Sequence, residues 1–191
     1  ATEVREEWLM DLFPEAWESQ DRTVWDDRRH QVVRRLRTTC LGVVLEDREV
    51  TTLDAELAAE ILAGELANGR LPLHGWDRTV EEWIERVRWT ASVFPERGLL
   101  TYDETDRAVI LRELCTGSSS YREVKDRPCL DAVRHALSHD DVRFVEAMAP
   151  AWLPLPSGRR MRLDYAAGRP PRGRTRIQDL YGLTTTPRIA G

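Results

Sequence analysis

Leu153-Pro-Leu-Pro-Ser-Gly-Arg-Arg-Met-Arg-Leu-Asp-Tyr165 is the stretch on which the fold turns. Its prolines bar Trp152–Pro156 from the middle of a sheet, and Ser157-Gly158 marks a turn. Met161 to Tyr165 then alternates apolar with polar residues, the period of a half-buried strand. The chain is therefore extended here, and Thr175 to Leu180 is the expected hairpin partner across the Arg169-Pro-Pro171 connection. On that reading Arg160 and Arg162 share one face of the strand, and Arg174 and Arg176 share a face of its partner.

Working back from this point, the pattern changes to helices. Asp140 is the expected cap of a helix holding Phe144, Val145 and Met148, and Pro128 suits the first position of one carrying Leu130, Val133 and Leu137. Tyr121–Val124 reads as one short turn. A helix from Asp103 or Thr105 places Val109, Ile110, Leu111 and Leu114 together and stops at Gly117. Thr79-Val-Glu-Glu82 has the spacing of a capping box before Trp83, Ile84 and Val87. Thr52 starts a further helix with Leu53, Leu57, Ile61, Leu62 and Leu66 on one stripe, ending near Asn68-Gly69.

Further back the period returns to two. Thr23-Val-Trp25, the turn Asp26–Arg29 and His30–Leu36 read as a hairpin, and Cys40–Leu45, nearly all apolar, reads as a buried third strand. A short helix precedes them, with Thr2 as cap, Glu3, Glu6 and Glu7 at its positive end, and Trp8, Leu9 and Leu12 on one docking face. The fold class is α+β. Residues 1–50 form a helix and a small β segment, 51–149 a helical bundle, and 150–191 a basic β-rich tail. The two β parts are expected to pair as one oligonucleotide-binding-like subdomain, with the bundle inserted between them.

Charge is partitioned along the chain. From Pro156 onward eight arginines face two aspartates, a balance of +6 in a chain of net charge −5, so residues 1–155 carry −11. An acidic body with a basic tail suggests an acidic partner for the tail. No apolar run approaches the ~20 residues that span a bilayer, so no membrane partner is expected. Cys40, Cys115 and Cys129 are odd in number and lack Cys-x-x-Cys spacing, which fits a reducing cytoplasm.

The chain also lacks the parts of a nucleotide-driven motor. Lys125 is its only lysine and sits in Val-Lys-Asp, far from any glycine-rich phosphate loop ending in Gly-Lys-Ser/Thr, and no Asp-Glu-x-His occurs. No catalytic residue stands out. Ser118-Ser-Ser120 has no Gly-x-Ser-x-Gly frame. His135 and His139 have the i, i+4 spacing of one helix face, but Ala136 stands where a zinc hydrolase has glutamate, so no metal ligand is nominated.

Three anchors nevertheless carry a resemblance: Pro156-Ser-Gly-Arg159 leading to Leu163-Asp-Tyr165, then Arg176-Ile-Gln-Asp-Leu-Tyr-Gly-Leu183, then Thr186-Pro-Arg-Ile-Ala-Gly191. This passage resembles the C-terminal domain of the HrpB family of bacterial DExH-box ATP-dependent helicases. Glu7–Pro14, Val32–Arg37, Leu41–Leu45 and Ala149–Leu153 extend the similarity more diffusely. The resemblance implies a fragment without the motor, whose partner is the motor of the same parent chain, where ATP and magnesium would act. This chain is then an accessory region, without cofactor of its own, that contributes nucleic-acid contact or motor regulation.

The candidates for that contact are the tail arginines Arg159, Arg160, Arg162, Arg172, Arg174 and Arg176, with Tyr165 and Trp25 as base-stacking aromatics. A twisted ribbon of arginines can follow a phosphate backbone, each neutralised phosphate adding salt-dependent affinity for a single strand. The competing reading pairs the same arginines with the acidic body and makes the chain a scaffold for protein partners. Trp83 and Trp89, in helical patterns, are expected in the core.

Overall fold

A computed structural model describes residues 6–185 and 187–190. Thr2 and Glu3 of the expected first cap, and Thr186 and Gly191 of the last anchor, lie outside the described residues. The chain divides into two compact units, one made of residues up to Pro72 with Cys115–Lys125, the other of Leu73–Leu114 with Asp126 onward. The helical middle of the sequence is thus shared between them.

The first unit opens with α1 (Glu6–Leu12), on which Trp8 and Leu12 are exposed. An antiparallel sheet follows, with β1 (Trp17–Asp26), β2 (Gln31–Cys40) and β3 (Val43–Val50) in that order. The Asp26 carboxylate accepts from the amides of Arg28 and Arg29 at 3.0 and 3.1 Å, which closes the first hairpin. Leu41 and Gly42, at φ 52° and 80°, form the second turn in the left-handed conformations that tight hairpins need.

This turn corrects the expected buried strand over Cys40–Leu45. The apolar run straddles the turn and enters an edge strand, so Val43 is 62% exposed and Leu41 and Val44 are exposed with it. The sheet's buried residues are instead Val32, Val33 and Cys40 on the central strand. Helix α2 (Ala55–Ala67) packs on β1 and β2 through Ala58, Ala59, Leu62, Ala63 and Leu66, small side chains that allow close approach. Its cap is Asp54, which accepts from Glu56 and Leu57, rather than Thr52; Leu57 is exposed.

In the second unit α3 (Arg78–Val93) buries Val80, Trp83, Ile84, Val87, Trp89 and Thr90. Its cap is Asp77, bonded to the amides of Thr79 and Val80, two residues before the expected capping box. Helix α4 (Glu104–Cys115) buries Ile110, Leu111 and Leu114 but leaves Val109 exposed. The one-turn α5 (Tyr121–Val124) belongs to the first unit, where the Ser119 carbonyl and the His30 carbonyl link it to the start of β2.

Helices α6 (Leu130–His135) and α7 (His139–Met148) complete the helical part of the second unit. Pro128 therefore lies ahead of its helix, and Ser138, not Asp140, caps α7 by accepting from the Asp141 amide at 3.1 Å. His135 and His139 fall on different helices, which removes the single-face arrangement their spacing suggested. The core closes around Trp83, whose indole donates to the Tyr102 hydroxyl; that hydroxyl donates to the Val133 carbonyl at 2.8 Å.

A second antiparallel sheet has the order β4 (Trp152–Pro154), β5 (Arg160–Asp164), β6 (Arg172–Gly173). The strands at the two ends of the chain thus form two sheets, not the single oligonucleotide-binding-like subdomain expected. The proline-containing β4 lies on an edge, where a missing amide is tolerated. Thr175–Leu180 is not the partner strand: β6 is only two residues long, and Ile177–Leu180 is a 3₁₀ turn.

Candidate nucleic-acid interface

Strand β5 sorts its side chains by alternation. Leu163 turns inward to a cluster with Trp89, Ala149 and Tyr165, against which Leu153 and Met161 pack. Arg160 and Arg162 point the other way, as the sequence suggested. Register then adds a residue that sequence reasoning passed over: Trp152 of β4 stands directly opposite Arg162, and Pro154 opposite Arg160.

The Arg160 and Arg162 guanidiniums lie 5.7 and 5.6 Å from the centroid of the Trp152 indole, which is 45% exposed. Each such cation–π contact contributes about 0.5–1 kcal/mol at an exposed site. Together they hold two positive forks beside an open aromatic face. Arg162 also pairs with Glu82 of α3, whose carboxylate accepts from Arg78 at 2.7 Å as well. Alternation within β5 places Arg162, but only the pairing of β4 with β5 brings Trp152 beside it.

The other candidates are dispersed. Arg159 lies 3.5 Å from Asp179, itself held by the Thr175 hydroxyl. Arg172 sits on β6, while Arg174 and Arg176 occupy the following irregular segment; all three are exposed. Arg174 and Arg176 therefore do not share a strand face. Tyr165 is no stacking platform. It is only 8% exposed, packs edge-on against Trp89 at 5.1 Å and donates to the Pro150 carbonyl at 2.7 Å. Burial pushes its phenol up to about 12. Trp25 belongs to the first unit, half-buried and tilted against His30.

Trp152 also lines a cleft of about 310 Å³ in the second unit, together with Trp83, Arg86, Arg134 and Arg162. The Arg86 and Arg134 guanidiniums lie over the Trp83 ring at 5.1 and 4.6 Å. Arg134 pairs with Glu146. Arg86 donates through Nε to the Ala149 carbonyl at 2.6 Å, and burial holds its pKa below the usual arginine range. Sequence reading missed these two arginines. The i, i+3 spacing of Trp83 and Arg86 was the available signal for one; nothing local joins Arg134 to them.

Residues 110–191 match the family described as "ATP-dependent helicase C-terminal", which is that of HrpB-type proteins. The match covers 82 of the chain's 191 residues, its C-terminal part. Over 188 residues the chain is 26% identical to the ATP-dependent RNA helicase HrpB of Escherichia coli (strain K12), covering 95% of this chain and 23% of that protein. Two crystal structures are similar in fold, each with a TM-score of 0.66 and 21% identity. One, of the E. coli DExH-box NTPase HrpB, covers 98% of this chain and 24% of that one. The other, of the E. coli DEAH/RHA helicase HrpB, covers 93% and 23%. The chain spans about a quarter of the length of these relatives. Among the described residues, no helix is long and apolar enough to cross a membrane.

Proposed function

We propose that the chain is a non-catalytic accessory region of an ATP-dependent helicase that contacts single-stranded nucleic acid through the β4–β5 ribbon. One observation supports this most: Arg160 and Arg162 flank the exposed indole of Trp152. An indole stacks any base, and flanking guanidiniums neutralise phosphates without reading sequence. The E. coli relative is named as an RNA helicase, so a single strand of RNA is the first ligand to test. ATP and magnesium act on motor domains of the parent protein, since this chain has no phosphate loop.

A second reading has its own support. Arg162 and Arg159 are already paired within the chain, and α1 with the residue after it exposes Trp8, Met10, Leu12 and Phe13. That surface suits docking onto a protein partner such as the motor. The two readings separate by salt. Single-strand affinity through the ribbon falls with a slope of about −0.7 per phosphate contact, and Arg160→Gln with Arg162→Gln should flatten it by about 1.4. Trp152→Ala should cost about 1–3 kcal/mol of the stacked base. Unchanged affinity and slope in both variants would favour docking.

A further inference from the structure

The cleft that Trp152 lines is unevenly charged. Three guanidiniums, of Arg86, Arg134 and Arg162, line it together with the single carboxylate of Glu82, which Arg162 and Arg78 already share. Glu146, the partner of Arg134, is outside the lining. Among the described residues no carboxylate forms an ion pair with Arg86, Glu146 acting on it only at longer range, and its one side-chain hydrogen bond uses Nε alone. Its two Nη groups are thus left without a protein acceptor. Neither Nη group is among the buried atoms left without a partner, so both stand open to a ligand, and an anion there would gain charge-assisted hydrogen bonds from a group that keeps its proton.

The ring beneath two of these charges is buried and hydrogen-bonded. Trp83 is 2% exposed and its indole donates to the Tyr102 hydroxyl, so the two arginines lie over a ring oriented by packing and a hydrogen bond. Trp152, also in the lining, is 45% exposed and supplies a second aromatic ring. The volume, about 310 Å³, stands at the small end of ligand pockets, roughly 300–1,000 Å³. Guanidinium forks match phosphate oxygens in geometry, and an indole matches a base.

We propose that this cleft binds one nucleotide unit, its phosphate on Arg86 and Arg134 and its base against Trp152. The same chemistry fits a free nucleoside monophosphate or one residue of a bound strand; only the second source rests on the single-strand reading above. Calorimetry on the intact 191-residue chain with adenosine monophosphate, adenosine, orthophosphate and a single-stranded oligonucleotide of about twelve residues tests it.

The monophosphate should bind at least about tenfold more tightly than adenosine or orthophosphate. Arg86→Gln and Arg134→Gln should each remove that advantage, whereas Trp152→Ala should weaken the monophosphate and leave orthophosphate unchanged. Arg86 also holds the Ala149 carbonyl, so Arg134→Gln decides if the first variant fails a thermal-unfolding check. Monophosphate binding without oligonucleotide binding keeps the cleft and overturns the strand reading. Oligonucleotide binding with a monophosphate no better than adenosine, unaffected by either substitution, overturns the cleft and leaves the strand reading standing.

Discussion

Tyr102 and Tyr165 show what single residues contribute to the second unit. Each phenol is buried, each donates to a backbone carbonyl, and burial pushes each up to about 12, against about 10 for a free tyrosine. The folded state favours the neutral phenol. Its stabilisation is therefore complete below pH ~10 and lost as the pH rises from there through about 12. The urea midpoint should fall across that window, and Tyr102→Phe or Tyr165→Phe should remove part of the fall. At neutral pH Tyr102→Phe strands the Trp83 indole and the Val133 carbonyl, at about 1–3 kcal/mol in urea unfolding. Gly75 is constrained differently. A Cβ there would stand 1.9 Å from the Arg127 carbonyl, so Gly75→Ala should destabilise by about 1–3 kcal/mol.

At the scale of elements, helix phases were legible apart from Leu57 and Val109, which are exposed, and helix starts were not. Leu111 and Leu137 are buried as their periodicity required, and truncation of either to alanine should cost about 2–5 kcal/mol. The starts of α2, α3 and α7 each moved by two residues. Near each one, several side chains of equal capping ability crowd the same few positions, and only tertiary packing selects among them. Ser138 and Asp140 give a direct comparison. Ser138→Ala should cost about 1 kcal/mol in thermal or urea unfolding, while Asp140→Ala, which loses no cap, should cost much less. The strands failed for a different reason. Composition cannot say which strand of three is central, so the apolar run Cys40–Leu45 read as a buried strand, whereas beyond the buried Cys40 it forms a turn and an edge. In the tail, Gly173 lies where a Cβ would meet the Met161 side chain at 2.7 Å, and the chain then turns toward Asp179 rather than continuing as a strand.

Across the whole molecule, the partition of charge was legible, but its consequence was not. The basic tail does not simply bind the acidic body: Arg159 pairs with the tail's own Asp179, and Arg162 pairs with Glu82 while still flanking Trp152. The arginine positions on β5 were readable by alternation; the tryptophan between them needed strand register, and the cleft needed three distant segments brought together. The absence of a phosphate loop predicts no ATP hydrolysis by the purified chain, measured as phosphate release with and without RNA. Turnover that a substitution within the chain abolishes would refute the accessory assignment. The most direct test of the account is where a strand touches. A single-stranded RNA carrying 4-thiouridine, cross-linked to the chain and mapped by mass spectrometry, should label the segments around Trp152 and Arg160–Arg162, and less so as salt rises. Cross-links confined to other surfaces, or none at low salt, would contradict it.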